Sequence, residues 1–382
     1  MSQRVLIVPD KFKGTLTAAQ AATSIATGWS LARPSDVITL LPMNDGGDGF
    51  GSITAELLGA QEQVVATVDA AHRPCNAHWW FQSETRTAII EAAQVNGLAQ
   101  LPKGEFHPFQ LDTFGLGQVI CAARAAGAIE CLIGIGGSAT NDGGFGLARS
   151  LGWRFLDDDG HDIEHWKRLS SLVRLVPPTL AQRALAIRVA VDVENPLLGP
   201  QGCTRIYGPQ KGLSPEDFPI AEGALTRLAE IVSRDHPRAI PVDRLLGSGA
   251  AGGLGFGWVA FAGGTLTPGF DLFASLAQLS DAIESADVVV TAEGRIDASS
   301  MMGKGVGGVL GLCRSLGKPC VGLAGHRDST FASGSGGFLK IAAITDTCDA
   351  ATALAEAAPR LQQLAQSVAR SFDSVSDKKS GF

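Results

Sequence analysis

Apolar and polar positions along this chain fall into two rhythms. Near the start, RVLIVP is an unbroken apolar run, as expected of a strand buried on both faces. The polar loop DKFKGT follows. TAAQAATSIATGW then predicts a helix opened by Thr17, with Gln20 three residues on as the other half of a capping box. DVITLLP predicts a second strand, NDGGDG a loop, and Phe50 to Leu58 a short helix. Strand and helix in alternation predict a parallel α/β sheet. The rhythm changes at EQVVATVDA, NAHWWFQ and TRTAIIEAA, three successive strand patterns that predict a meander in a second sheet, with a boundary near Val68. It returns late, with ADVVVTAEG, a helix from about Lys304, KPCVGLAGH, FLKIAAIT and one long helix over Ala350 to Ser371. The tail SVSDKKSGF is expected to fray. Residues 1–67 with 287–382 should therefore form one α/β domain, and residues 68–286 an inserted mixed α/β domain.

Leu245 to Phe270 carries no charge and is long enough to span a bilayer, but it holds nine glycines and a proline and lacks basic flanks. A buried Gly/Ala-rich helix is expected there. Across 382 residues, 31 basic against 38 acidic side chains leave a formal charge of −7. That balance argues against nucleic acid as a partner. Seven scattered cysteines without a C-x-x-C pair suggest reduced thiols rather than a disulfide framework or zinc site. The first apolar run is too short for a signal peptide, so a cytoplasmic protein with no membrane partner is the expectation.

Candidate chemistry gathers where strand-like runs stop. Residues 131–146 read CLIGIGGSATNDGGFG: a strand running into a loop rich in backbone N–H groups, then a helix, which suits a phosphate. No Walker lysine accompanies it. PDKFKG, NDGGDG, TAEGRID and VDVENPLLGPQG are four more polar loops at predicted strand ends. Together they offer Lys11, Lys13 and Arg295 with several carboxylates, a mixture suited to neutralising phosphate, holding Mg²⁺ and accepting a proton. Each also reads as an ordinary turn. Glu293 and Asp297 fit a helix cap with an ion pair to Arg295 as well as they fit a metal site. Asp192, after the apolar run LAIRVA, is a candidate general base if partly desolvated, or else an Asx-turn acid. Three further matches fail on context. GSGAAG has no clear strand before it, HDIEH has no helix around it, and DASSMMGKG lacks the P-loop's required glycine and hydroxyl.

Taken together, VPDKFKGTLTAAQAA, PMNDGGDG, GIGGSATNDGG, VDVENPLLGPQGCTRIYGPQKG, GSGAAGGLG and TAEGRID followed by GKG resemble, in order, the motifs of the bacterial class I glycerate kinases. The resemblance runs from about Arg4 to Thr345. It implies a flavodoxin-like domain built from both chain ends, and ATP-dependent phosphorylation of D-glycerate, most often at the 2-hydroxyl. The 3-hydroxyl, another small hydroxy acid, and a catalytically silent regulator on the same fold stay open; a homo-oligomer is allowed. On this reading Asp192 is the base, with Lys11 and Lys13 beside the glycerate carboxylate or transferred phosphoryl group. Gly136, Gly137, Ser138, Thr140, Asn141 and Lys211 surround the phosphates, Arg295 and Asp45 serve the substrate, and Glu293 and Asp297 hold Mg²⁺.

Overall fold

A computed structural model describes residues 2–178, 185–236, 241–301, 305–331 and 335–372. Lys304, where a helix was expected to begin, and the tail from 374 lie outside the described residues. The chain divides into two compact units, Met1–Asn44 with Phe270–Phe382, and Asp45–Gly269.

The first unit opens with β1 (Arg4–Pro9), α1 (Ala18–Ala32) and β2 (Val37–Leu40). Thr17 and Gln20 form the capping box that starts α1. The second unit follows as α2 (Phe50–Leu58), β3 (Gln61–Val68), β4 (Pro74–Gln82), β5 (Thr87–Glu91), α3 (Ala93–Asn96), α4 (Phe114–Ala125) and β6 (Glu130–Gly134). It continues with α5 (Phe145–Ser150), β7 (Arg154–Leu156), β8 (Arg174–Val176), β9 (Ala186–Val191), α6 (Cys203–Lys211), α7 (Phe218–Asp235), α8 (Ala250–Ala262) and β10 (Thr265–Pro268). The first unit then resumes with α9 (Gly269–Leu276), α10 (Leu279–Ser285), β11 (Val288–Ile296), α11 (Gly305–Ser315), β12 (Cys320–Arg327), β13 (Lys340–Ala343), α12 (Ala350–Ala355) and α13 (Ala357–Arg370).

In the first unit the sheet order is β13-β12-β11-β1-β2, all parallel. Counted within the unit this is the flavodoxin-like order, whose direction reverses between β1 and β11. Both faces are covered. Val5, Ile7, Val288 and Val290 pack toward α1 and α13, while Leu6, Val8 and Val289 pack toward α9, α10 and α11. That explains why RVLIVP is apolar throughout. In the second unit the order is β10-β9-β6-β5-β4-β3, parallel from β10 to β5 and antiparallel through β4 and β3. β7 and β8 pair as a separate ribbon.

Four expectations are corrected. The unit boundaries fall at 44/45 and 269/270, because α2 rests on β4 and β5, β3 pairs with β4 along its length, and Phe270, Phe273, Leu279 and Ile283 enter the first unit's core. TAEGRID is mostly strand, since β11 runs to Ile296. The uncharged stretch 245–270 is not one helix: Gly263 adopts φ +72° and ends α8, and β10 and the start of α9 complete it. The long C-terminal helix breaks at Glu356, because Pro359 lacks an N–H and its ring excludes the helical position of the Ala355 carbonyl. Among the described residues no helix is long and apolar enough to cross a membrane.

Candidate active site

The second unit's parallel strands deliver their loops to one edge. β6 ends level with β9, Gly134 opposite Ala190, so the loop after β6 and Asp192 after β9 leave the sheet side by side. Gly46 lies against Ala190, and its carbonyl accepts the Gly136 N–H at 3.0 Å. Asp45 turns its carboxylate onto the Gly47 N–H at 3.2 Å. From β5, the Glu91 carboxylate accepts the N–H groups of Gly49 (3.2 Å) and Gly51 (2.9 Å), holding the NDGGDG loop at the start of α2.

The loop itself is held from beneath. Ala139 donates to the Asn96 carbonyl at 2.7 Å, Leu98 donates to the Gly137 carbonyl at 2.9 Å, and Asn96 Nδ2 donates to Thr140 Oγ1 at 3.3 Å. Asn141 Nδ2 donates to Thr204 Oγ1 at 3.1 Å, while its fully buried Oδ1 has no partner among the described residues. Asp142, also fully buried, accepts from the Thr113 N–H (3.0 Å) and hydroxyl (2.8 Å) and from the N–H groups of Gly144 (3.3 Å) and Gly146 (2.9 Å). Burial, reinforced by the Asp112 charge, pushes its carboxyl up to about 6 despite those hydrogen bonds. Asp142 is a clamp joining the loop to α4 and α5, not a ligand group.

GSGAAG braces the same loop. Ala251, Gly252 and Gly253 are consecutive left-handed residues at φ +56°, +71° and +83°. The Gly252 carbonyl accepts from Gly143 N–H at 3.1 Å, and a Cβ on Gly252 would strike the Thr140 carbonyl oxygen and sit 2.7 Å from Asn141 Cα. Only glycine allows that approach. Lys211, at the end of α6, reaches in with Nζ 2.9 Å from Ser138 Oγ and 2.6 Å from the Thr140 carbonyl oxygen. Burial pulls its ammonium down to about 8, against the opposing pull of Cys203 and Asp142. The solvent side of the loop is Gly136, half-buried, and Gly137, exposed.

A profile of the glycerate kinase family matches residues 5–373. The chain belongs to the glycerate kinase family. It is accordingly a kinase, and a kinase of this family implies ATP as phosphate donor. Glycerate kinase from Halalkalibacterium halodurans is 35% identical over 84% of this chain and 85% of its own length. Glycerate kinase from Haemophilus influenzae is 37% identical with the same coverage, and glycerate 2-kinase from Escherichia coli K12 is 35% identical with the same coverage. A crystal structure of a Salmonella typhimurium LT2 protein, named as a glycerate kinase 2, superposes with a TM-score of 0.82 at 34% identity, covering 99% of this chain and all of that one.

Within this glycerate kinase family member, the second unit brings together Asp45, Gly136, Gly137, Ser138, Thr140, Asn141, Asp192 and Lys211. Asp192 is exposed, so the partial desolvation expected of it is absent. Its carboxylate lies just beyond a strand end and raises the pKa of Tyr207, after burial of that ring. The first unit holds the other candidates at its own switch point. Half-buried Lys11 and exposed Lys13 follow β1, and the Lys13 backbone passes Gly294 of β11, where a Cβ would stand 3.3 Å from its nitrogen. Glu293 and Arg295 lie on β11, with Asp297 one residue past its end. Asp297 takes the Ser299 N–H at 2.8 Å and hydroxyl at 2.5 Å, and meets Arg295 Nε at 3.2 Å. That is the turn-and-ion-pair alternative. Among the described residues no three acids, histidines or cysteines gather as a metal site. Magnesium can be held by one or two carboxylates when phosphates supply the remainder. The number of carboxylates therefore suits it, but Asp297's present contacts do not.

Sequence reasoning passed over Glu91, Asn96, Thr113 and Thr204, all buried polar groups that shape the loops. The terminal carboxylate of TAIIE was the one visible signal. The others are separated by dozens of residues from the groups they hold.

Proposed function

We propose that this kinase transfers the γ-phosphoryl group of ATP to the 2-hydroxyl of D-glycerate, giving 2-phospho-D-glycerate and ADP. The observation that carries this reading is the Gly136–Asn141 loop at the carboxyl edge of a parallel sheet, in a chain of the glycerate kinase family. Phosphoryl transfer asks a protein mainly for positioning and charge stabilisation. The backbone N–H of Gly137 would approach the phosphate oxygens closely. Gly136, whose own N–H is held by the Gly46 carbonyl, would leave room for that approach, and Ser138, Thr140, Asn141 and Lys211 would stand behind them.

Asp192, next to that loop by strand register, is the proposed base that accepts the hydroxyl proton as the O–P bond forms. Asp45 would accept a hydrogen bond from a glycerate hydroxyl, and Arg295 would receive the carboxylate, a planar anion matched to a guanidinium. Lys11 and Lys13 are proposed as catalytic cations. Magnesium, when bound with ATP, would neutralise charge on the phosphates; Glu293 and Asp297 are its proposed ligands, Asp297 only by giving up Ser299 and Arg295.

The name of the E. coli relative, glycerate 2-kinase, supports the 2-hydroxyl. A cytoplasmic location, no nucleic acid and no membrane partner belong to the same reading; so does the allowance for a homo-oligomer. The test is incubation with Mg·ATP and D-glycerate, ADP followed by a coupled assay and the product by ³¹P NMR. A secondary-phosphate signal supports the proposal. A primary-phosphate signal moves the reaction to the 3-hydroxyl. Turnover only with other hydroxy acids removes the substrate assignment, and no turnover with any favours a silent regulator.

A further inference from the structure

The loop that lacks a Walker lysine in sequence has a lysine in space. Lys211 Nζ is a donor with no lone pair while protonated, so in its 2.9 Å bond to Ser138 the serine oxygen must accept. The serine therefore keeps its own proton for another acceptor. Among the described residues no acceptor takes it. Lys211 is 6% exposed and its second bond, to the Thr140 carbonyl, pins it in place, while Ser138 is 7% exposed beside the solvent-facing glycines. A lysine that contacted the phosphate directly would need its Nζ at the surface of the loop; here it sits behind.

We infer that Lys211 is a positioning residue that acts through Ser138, fixing the serine hydroxyl as an outward hydrogen-bond donor to the anion the loop holds. This rests on the reading of Gly136–Asn141 as the phosphate-binding loop. Deprotonated, the same amine would accept the serine proton and turn the donor inward. Since the ammonium is lowered to about 8, the outward donor is lost as pH rises through that value. The titratable groups facing Lys211 are Cys203 on its own helix and Asp142 from the loop; Glu222 of α7 faces Cys203, and α8, packed on α6, brings none. Cys203 is pushed up to about 12 by burial and stays a thiol, and Asp142 ionises well below 8, so neither titrates in this window.

The experiment compares wild type, S138A, K211M, K211R and the S138A/K211M pair. It measures kcat/KM for ATP from pH 6 to 10, and ADP affinity by thermal shift. S138A and K211M should each lose about 10–100-fold in kcat/KM, the range for a hydrogen bond to a charged group, and the pair should be no worse than K211M alone. Wild-type activity should fall above pH 8. S138A should lack that limb, and K211R, which stays charged, should carry activity beyond it. Additive losses, or an unchanged alkaline limb in S138A, overturn the inference; a merely structural lysine would lower the Tm and leave the limb in place. If the lysine variants do not fold, S138A alone decides, through that limb. If wild type turns over no glycerate, the functional reading falls separately, and ADP affinity carries the test. A tenfold weakening in S138A upholds the positioning role, and unchanged affinity removes it.

Discussion

The two loop clusters of this protein are built on opposite physical plans. In the second unit the Gly136–Asn141 loop is nearly neutral at its surface and braced from below by buried polar groups: Asn96, Thr113, Asp142, Thr204 and Lys211 are all at most 7% exposed, except where the glycines face solvent. In the first unit the cluster after β1 and on β11 is charged and largely open, with Arg295 63% exposed in its ion pair to Asp297. Buried polar groups must be satisfied or they cost stability, so the first plan yields a rigid loop. Exposed charges are strongly hydrated and weakly held, so the second yields groups whose partners can change. The difference teaches that preorganisation and charge supply are divided between separate stretches of the fold.

The sharpest test of that division is Asp192, exposed at the edge of the rigid cluster. Asp192→Asn should lower kcat by about 10²–10⁴ if it is the base, while urea unfolding stays within about 0.5 kcal/mol of wild type. A stability loss with normal turnover would assign it to the Asx turn instead. Next comes glycine. Gly252→Ala must fit a Cβ against the Thr140 carbonyl at φ +71°, and should cost about 3 kcal/mol or more in urea unfolding. Gly14→Ala, in the open cluster at φ +79° with nothing within 4 Å, should cost only the left-handed strain of about 1–2 kcal/mol. Equal losses would mean the two regions are equally packed.

Asp142 gives a pH-dependent version. Its folded carboxyl lies near 6, above the ordinary carboxylate value near 3.9, so its contribution is fully present below about pH 4 and is lost as pH rises through 6. Asp142→Asn should remove that slope from stability measured between pH 4 and 7, of order 2 kcal/mol in the wild type. A wild-type curve flat across this window would show that the carboxylate is better compensated than its burial implies. The smallest effect is expected at Arg295. Arg295→Ala should change stability by less than about 1 kcal/mol, because its ion pair is exposed. A tenfold rise in KM for D-glycerate would mark a substrate contact, and an unchanged KM would leave Arg295 as partner to Asp297 alone.

Much of the architecture was legible from local pattern. The unbroken apolar run of β1, the Thr17–Gln20 box, the Phe50–Leu58 helix and the meander strands all follow from periodicity and capping, which act over a few residues. The unit boundary near Val68 was misplaced because β3 looks like the start of something new, whereas its pairing with β4 and the seating of α2 on that sheet are long-range facts. The strand character of TAEGRID was hidden because Glu293 and Arg295 sit toward the open end of β11, where charge is tolerated.

By itself the sequence determined the local framework of the proposed phosphate loop: the glycines of 136–144, the strand before them and the helix after them are contiguous, and local sterics need no partner to act. It also carried the ordered motifs that mark the family. Only the tertiary structure decided where the missing cation comes from. Lys211 lies 73 residues beyond Ser138, at the end of another helix, and a charge so distant along the chain reaches the loop only once burial of α6 against its neighbours holds it there. The same holds for Asp142. In sequence it is one more acid in a turn, and folding removes it from water and surrounds it with N–H and O–H groups that make it a clamp.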